Sequence, residues 1–417
     1  MTAYSITRAL AYAQDTLLPA LDIVDQRVND ARTPAWCERR GWTQFLLGLS
    51  EAELRRCEGE GLAVALKELS GVPESLSALA RRVREVSSLP VLRTAIAPQS
   101  QEDFRGVGLR KQRQLAGLLG ALAPLAAPAR RIVDVGTGSG HFARLSAAHF
   151  GRATLGLERN PERVARATHR VQASEGEGVR AEFAVLDAGR EPLVLFPNDL
   201  AIGLHACGEL GDTLVRVVAE SGADLALVSC CLQKISAPER ASLSRSANGF
   251  TLRKDTLGLS NLTSQAIGVE TSIEHNIRGR QARYALRLLL LARGLDFEPG
   301  AEMQGVNRRQ AQSGLAAIAQ RSLALHGLAP ANDAEIAQFE REAARQFSII
   351  RRLSLPRDML ARAIELSVIL DRAARLEESG HVVSVATLFE RAVTPRNVSL
   401  FASRDGARLP RVQDALS

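Results

Sequence analysis

Three glycines and two carboxylates carry the clearest chemical signal in this 417-residue chain. Gly136, Gly138 and Gly140 fall at every second position of Val133-Asp134-Val135-Gly136-Thr137-Gly138-Ser139-Gly140-His141-Phe142-Ala143-Arg144. Glu158 closes a second apolar run, Leu155-Gly156-Leu157. The first run reads as a short strand, a loop poor in side chains, and a helix that starts near Gly140. Glycine lets the chain turn sharply there and lets a ligand lie against backbone. The first N–H groups of the helix then point at that ligand. A carboxylate at the end of the next strand can accept hydrogen bonds from both hydroxyls of a ribose. Asp134, two residues before the first glycine, can order the loop or meet a cationic amino group through water. The arrangement predicts a pocket for a nucleoside-bearing cofactor.

Two cofactor classes compete for such a pocket, and a glycine-rich turn without a ligand is the third possibility. A dinucleotide fingerprint, G-x-G-x-x-G, would place its third glycine where this chain has His141. A side chain there would crowd the helix against the strand and hinder a pyrophosphate. The G-x-G-x-G form with an upstream Asp resembles motif I of class I S-adenosylmethionine (SAM) methyltransferases. That resemblance implies SAM as cofactor, held by Asp134, Gly136, Thr137, Gly138 and Gly140, with Glu158 on the ribose and Arg159 beside it. Asp187, at the end of the third strand, is placed to bond the adenine amino group, with Ala188 beside the ring.

A second constellation follows strands four and five. Strand four ends Ile202-Gly203-Leu204-His205-Ala206-Cys207-Gly208, and strand five ends Leu227-Val228-Ser229-Cys230-Cys231. In a doubly wound sheet both come to the mouth of the same pocket. His205 and Cys207 are the candidate catalytic residues. His205 could take a proton, orient an acceptor, hold strand-end backbone or bond the cofactor's carboxylate. Cys207 could attack C6 of a pyrimidine. Cys207, Cys230, Cys231 and His205 could instead bind zinc, but adjacent cysteines rarely share a metal comfortably, so small thiols buried beside the cofactor are expected and no metal site. The Asn/Asp-Pro-Pro-aromatic motif of amino-group methylation is replaced by His205-Ala206-Cys207-Gly208, which argues against adenine N6 as the acceptor.

The run "GLHACGELGDTLVR…ADLALVSCC" resembles a methyltransferase-like group marked by HACG and PRN motifs. The group includes the rRNA-adenine-dimethylase-domain-containing proteins and the glutathione S-transferase C-terminal-domain-containing protein. A related pattern occurs in a tRNA nucleoside 2′-O-methyltransferase family. The stretches 105–118, 368–382 and 388–402 fit the same group, so the resemblance covers about 105–402. It implies a SAM-dependent methyltransferase fold and leaves the acceptor open. Relatives often carry a lysine near Thr137-Gly138-Ser139, and serine-proline with two basic residues near Leu109-Arg110-Lys111. Arg110 and Lys111 could steer a phosphate or the SAM carboxylate, or line a solvated helix face. Arg396 and Asn397 sit at a hairpin turn, where turn geometry and capping account for them.

These residues need a scaffold, and the hydrophobic periodicity supplies one. Residues 1–125 read as a helical N-terminal domain, with Trp42, Phe45, Leu46 and Leu49 on helical spacing and Ser75 as a cap after Gly71-Val72-Pro73. Residues 126–235 read as an α/β, Rossmann-like, doubly wound SAM-binding core. Its strands are expected at 131–135, 153–157, 181–186, 199–204 and 223–229, and its helices near 141–149, 161–173 and 210–221. Residues 236–378 read as a mostly helical insertion, with helices at 281–293, 310–325, 333–349 and 357–379. Residues 379–417 supply β runs at 382–389 and 398–402, the antiparallel final hairpin of a class I methyltransferase sheet.

Composition narrows the class further. Net charge is +7 and lysine occurs only at Lys67, Lys111, Lys234 and Lys254, so the basic excess is arginine. This suits an acidic partner such as tRNA or rRNA, and an Arg/Ala bias is equally the mark of a GC-rich genome. Five cysteines make a disulfide framework unexpected and a reducing cytoplasm expected, with Cys37 and Cys57 as buried apolar thiols. No signal peptide and no membrane span are expected. The functional expectation is a SAM-dependent methyltransferase acting on RNA or a ribosome-associated target. The alternatives are a protein or small-molecule acceptor, and a SAM-binding protein without catalysis that serves as a partner-binding module.

Overall fold

Short β-branched runs alternate with amphipathic helices from residue 131 onwards, and in the computed structural model they assemble into one mixed sheet. The structure describes residues 5–92, 104, 107–172, 181–264, 270–307, 309–389, 393–394 and 397–413. The strands are β1 Val91–Leu92, β2 Arg131–Val135, β3 Ala153–Glu158, β4 Ala181–Val185, β5 Asp199–Leu204, β6 Asp224–Val228, β7 Glu239–Ala241, β8 Thr251–Arg253, β9 Val382–Thr387, β10 Val398–Ser403 and β11 Val412–Gln413. Nine of them form a sheet in the order β11-β1-β9-β10-β6-β5-β2-β3-β4, and β7 and β8 form a separate hairpin.

Strands β2 to β6 are mutually parallel, so their carboxyl ends share one edge. β10 runs antiparallel to both β6 and β9. This is the doubly wound, Rossmann-like sheet with an antiparallel final hairpin that the class I methyltransferase resemblance implied. Strands buried on both faces explain the near-continuous apolar sequence of β5 and β6. The helix Leu109–Ala126 packs one face with Leu115, Leu118, Leu119, Leu122 and Leu125, all buried, against Ile132, Ile202 and Phe401 of the sheet.

The chain divides into two compact units, and their boundaries differ from the four segments expected from sequence. The sheet unit comprises Met1–Ala20, Arg82–Ser264 and Leu360–Ser417; the second comprises Leu21–Arg81 and Gln265–Met359. The helix Ile6–Leu17 belongs with the sheet because Ile6, Leu10, Ala13 and Leu17 are buried and the helix packs on Ala361–Glu377. That last helix is buried along almost its whole length. The second unit has its own core, which includes Leu286, Leu289, Leu315, Ile318 and Leu323.

Several local expectations are corrected. The N-terminal part contains the strand β1, and the expected helical insertion contains the β7–β8 hairpin. The helix expected to stop at 349 continues as Asp333–Met359 through Pro356, and the next begins at Ala361. Residues 310–325 split into a 3-10 turn Gln310–Ser313 and a helix Ala316–Leu325, because Gly314 takes φ 100° between them. Ser75 lies inside the helix Glu74–Ser87 and accepts a hydrogen bond from Trp42 Nε1 at 2.8 Å. Among the described residues, no helix is long and apolar enough to cross a membrane.

Candidate functional site

The glycine loop follows β2 at the carboxyl edge of the sheet. Gly136 and Thr137 donate their backbone N–H groups to the carbonyl of Leu157 at 2.8 and 3.0 Å, which pins the loop to the end of β3. Gly136 and Gly138 have φ of 76° and 62°. A Cβ added at Gly136 would touch the Leu210 side chain at 3.5 Å and one at Gly138 would meet only the Gly136 carbonyl at 4.0 Å, so neither position is tightly packed. Gly140 is different. Its φ is 73°, and a Cβ there would lie 2.6 Å from the Phe183 ring and 2.8 Å from Ala167. Its role is close packing of the turn against β4 and the helix Pro161–Gln172, followed at once by the helix His141–Phe150.

The two carboxylates lie beneath and beside that loop. Asp134 is buried and accepts a hydrogen bond from the Thr137 hydroxyl at 2.5 Å. Burial pushes its pKa up to about 6; the Thr137 hydrogen bond and the Lys111 charge pull it down, and the Glu158 charge pushes it up. Burial holds the Lys111 ammonium below the usual lysine range, with Asp134 partly offsetting that. Glu158 is also buried. Its Oε2 accepts from Gly138 N and its Oε1 from Asn160 N, both at 3.1 Å. A carboxylate has about four lone-pair directions, so two ribose hydroxyls can still donate to it. Arg159 is exposed beside it.

Three observations fit a nucleoside-bearing cofactor with a cationic amino acid tail. Gly138 leaves its backbone nearly uncovered, Gly136 meets only Leu210, and Glu158 is a buried acceptor at the strand end. His141 Nδ1, in the first turn of the helix, is buried with no hydrogen-bond partner among the described residues. Burial holds the His141 imidazole below the usual histidine range, as do the charges of Arg170, Arg144 and Lys111, so it is neutral at pH 7. Asp187 lies two residues beyond β4, where its Oδ1 accepts from Gly189 N at 3.1 Å, and Ala188 is buried next to it. Leu186 N donates to the Glu158 carbonyl, which keeps Asp187 next to the end of β3.

The ends of β5 and β6 bring the second constellation to the same edge. His205 has φ 69°, a left-handed conformation that is uncommon outside glycine. Its N–H donates to the Val228 carbonyl at 2.8 Å. Its Nε2 faces Oε1 of buried Gln114 at 3.4 Å, a contact that orients the ring. Cys207 and Cys230 are joined as a disulfide, and Cys231 is free. This corrects the expectation of free thiols there: parallel pairing of β5 with β6 sets the two cysteines side by side. The sulfurs of Cys207, Cys230 and Cys231 all lie within 4.8 Å of one another.

One group that holds these loops gave no sequence signal. Arg372, fully buried, donates to Asp212 Oδ1 at 2.8 Å, to Ser229 Oγ at 2.6 Å and to the Gly208 carbonyl at 2.7 Å. Arg240 bonds the other side of Asp212 at 2.9 Å and pairs with Asp371 at 2.8 Å. Two arginines and two aspartates thus form a neutral buried cluster behind the strand ends. Burial raises the cost of ionising Asp212, but the charges of Arg372 and Arg240 overcome it and hold its pKa below the usual range. Gln114 and Lys111 were legible in principle as an i, i+3 pair on one helix. Arg396 lies outside the described residues, whereas Asn397 is buried and its Nδ2 donates to the Phe389 carbonyl at 3.2 Å. Cys37 and Cys57 are buried in the second unit, and burial pushes the Cys57 thiol up to about 11.

Residues 110–238 match the family model described as a methyltransferase domain. A curated relative, the chloroplastic tocopherol O-methyltransferase of Arabidopsis thaliana, is 30% identical over 118 residues. The match takes in 27% of this chain and 33% of that protein, so the chain spans about a third of the relative's length. Among solved structures, the magnesium protoporphyrin IX methyltransferase of Synechocystis PCC 6803 is 19% identical, covering 31% of this chain and 60% of that one, with a TM-score of 0.24. The tRNA (uracil-54, C5)-methyltransferase of Pyrococcus abyssi is 22% identical, covering 28% and 29%, with a TM-score of 0.23.

Proposed function

We propose that this chain, which contains a methyltransferase domain over residues 110–238, is a SAM-dependent methyltransferase whose acceptor is RNA. The observation that carries the reading is the loop: glycines at 136 and 138 in the left-handed region, the second nearly uncovered, with buried Glu158 bonded to Gly138 N. SAM supplies an activated methyl group on a sulfonium. In this reading Gly136 and Gly138 lie against the nucleoside, Glu158 takes the ribose hydroxyls, and Asp187 with Ala188 meets the adenine. Asp134 and Thr137 order the loop and favour the cationic amino group, while Lys111 favours the carboxylate. His205 orients the acceptor or accepts its proton. Cys207 has no nucleophilic role in the proposal, because its sulfur is committed to Cys230 and turned to the His205 carbonyl.

The RNA acceptor is supported by the net charge of +7, and the absence of the amino-methylation motif argues against adenine N6. The reading includes membership of the HACG/PRN group and a cytoplasmic setting; Cys37, Cys57 and Cys231 are free, whereas the Cys207–Cys230 disulfide counts against a reducing one. Calorimetry of the full chain with SAM and with NAD tests the cofactor. Micromolar binding of SAM alone is expected, and tighter NAD binding overturns the assignment. Incubation with tritiated SAM and total RNA or total protein tests the acceptor. Label in RNA is expected; label in protein, or in neither fraction, overturns the RNA assignment while leaving the cofactor result standing.

A further inference from the structure

Cys207, Cys230 and Cys231 are a cluster that neither the fold nor the proposed methyl transfer uses. We propose that their three sulfurs form a binding site for one thiophilic divalent ion of the zinc class. Each sulfur comes from a strand end fixed by the sheet. Leu204 of β5 pairs in register with Val228 of β6, so Cys207 and Cys230 leave adjacent strands at nearly the same level. Cys231 follows directly and stays within 4.8 Å of both. A disulfide between Cys207 and Cys230 occupies two sulfurs and leaves the convergence of the third unexplained. Three thiolates around one ion account for all of them.

A zinc–sulfur bond of about 2.3 Å in a tetrahedral site sets its ligand sulfurs about 3.8 Å apart; the three sulfurs lie within 4.8 Å of one another, and opening the Cys207–Cys230 bridge lets that pair separate to the same spacing. All three cysteines are half-buried, so an ion can enter and is then shielded. Sulfur donors select soft or borderline ions and reject calcium and magnesium, which take oxygen ligands. Arg372, its charge balanced by Asp212 within the buried cluster, braces the loops that present the three sulfurs. Arg372 bonds the carbonyl of Gly208, next to Cys207, and the hydroxyl of Ser229, next to Cys230. Such supporting contacts fix ligand orientation in metal sites. Three protein ligands leave a fourth position open.

The chemistry is a deprotonation: one divalent ion and three thiols give a tris-thiolate complex and three protons released to solvent. The site therefore exists only when Cys207 and Cys230 are both reduced. The test uses the full chain, reduced with a phosphine, freed of it under anaerobic conditions, and titrated with Cd(II) as the spectroscopic probe. One equivalent of Cd(II) should produce an ultraviolet thiolate-to-metal charge-transfer band. Cys231→Ser should remove about a third of the band, since each thiolate contributes about equally, and should release one proton fewer. Zn(II) affinity, read by competition with a chromophoric chelator, should fall at least tenfold in Cys231→Ser and in Cys207→Ser. Cys57→Ser, in the second unit, should change nothing. No band in the reduced protein overturns the proposal, as does a band that survives Cys231→Ser at full intensity. SAM calorimetry is a separate measurement, so failure here leaves the cofactor reading untouched.

Discussion

Asp134, which the proposed reading sets beside the cationic end of SAM, carries a charge that works against the stability of the fold. Burial pushes its pKa up to about 6 from an ordinary value of 3.8. A carboxyl group with a raised pKa stabilises the fold fully only while protonated, below about pH 4, and that contribution is lost as pH rises through 6. At pH 7 the ionised group then costs up to about 3 kcal/mol. Asp134→Asn should therefore stabilise the ligand-free protein at pH 7 by about 1–3 kcal/mol in urea denaturation, with the gap closing below pH 4. The same change should weaken SAM; equal stability of the two proteins at both pH values would mean that Asp134 carries no such cost. Glu158→Ala should weaken SAM by about 1–3 kcal/mol in calorimetry, through lost charge-assisted hydrogen bonds, and unchanged affinity would move the ribose site elsewhere. His205→Asn retains a residue that tolerates the left-handed backbone. If His205 takes the acceptor's proton, kcat should fall about 10²–10⁴-fold with the Kd for SAM unchanged, and the acid limb of the pH–rate profile should vanish.

The elements that present these residues were legible to different degrees. β2, β3, β5 and β6 are apolar runs of five or six residues ending in turn signals, so their pattern identifies them within a residue or two. β1 and β11 are two residues long, too short to show any periodicity, and they exist only because the edge at β9 offers pairing. Pro356 reads locally as a helix end, yet it is buried in the helix Asp333–Met359, where packing outweighs one missing hydrogen bond. The glycine loop was legible because its chemistry is local to eight residues. The Asp212–Arg240–Asp371–Arg372 cluster was not, because its members come from the helix Glu209–Ser221, the β7–β8 hairpin and the helix Ala361–Glu377. Charged residues at those spacings look like solvated faces until the fold buries them. Such a cluster binds distant elements only when complete. Arg372→Leu leaves Asp212 with Arg240 as its one arginine partner and removes the donor that Arg372 gives to Ser229 Oγ and to the Gly208 carbonyl, so unfolding free energy should fall by about 3–5 kcal/mol. Arg372→Lys should recover only part of it, since a point charge cannot replace a fork that bonds Asp212, Ser229 and Gly208 together. A loss under 1 kcal/mol in denaturant titration would show that the β5 and β6 loops hold themselves.

At the scale of the whole molecule the open question is what the arginine excess is for. Of 53 basic residues only Lys67, Lys111, Lys234 and Lys254 are lysine, and 46 acidic residues leave a net charge of +7. Many of the arginines are spent internally. Arg351 pairs with Glu58 and Glu51, Arg131 with Asp199, Arg293 with Glu335, and Arg240 and Arg372 with the buried aspartates. A composition bias predicts that the remainder is spread without function. An RNA acceptor predicts that some of it meets phosphate, and the two differ in salt dependence. Single-stranded nucleic acid releases counterions so that log affinity falls with log salt at a slope of about −0.7 per phosphate contact. With about four such contacts, raising salt from 50 to 200 mM should weaken RNA about 50-fold. In the proposed reading SAM sits against Glu158, away from most of the excess charge, and its binding should change much less over the same range. Filter binding or anisotropy with total tRNA, run beside SAM calorimetry at each salt, separates the two. A steep slope for RNA and a shallow one for SAM assigns part of the excess charge to the acceptor. Equal, shallow slopes mean that the arginines serve the fold alone, and the acceptor is then a neutral or small molecule.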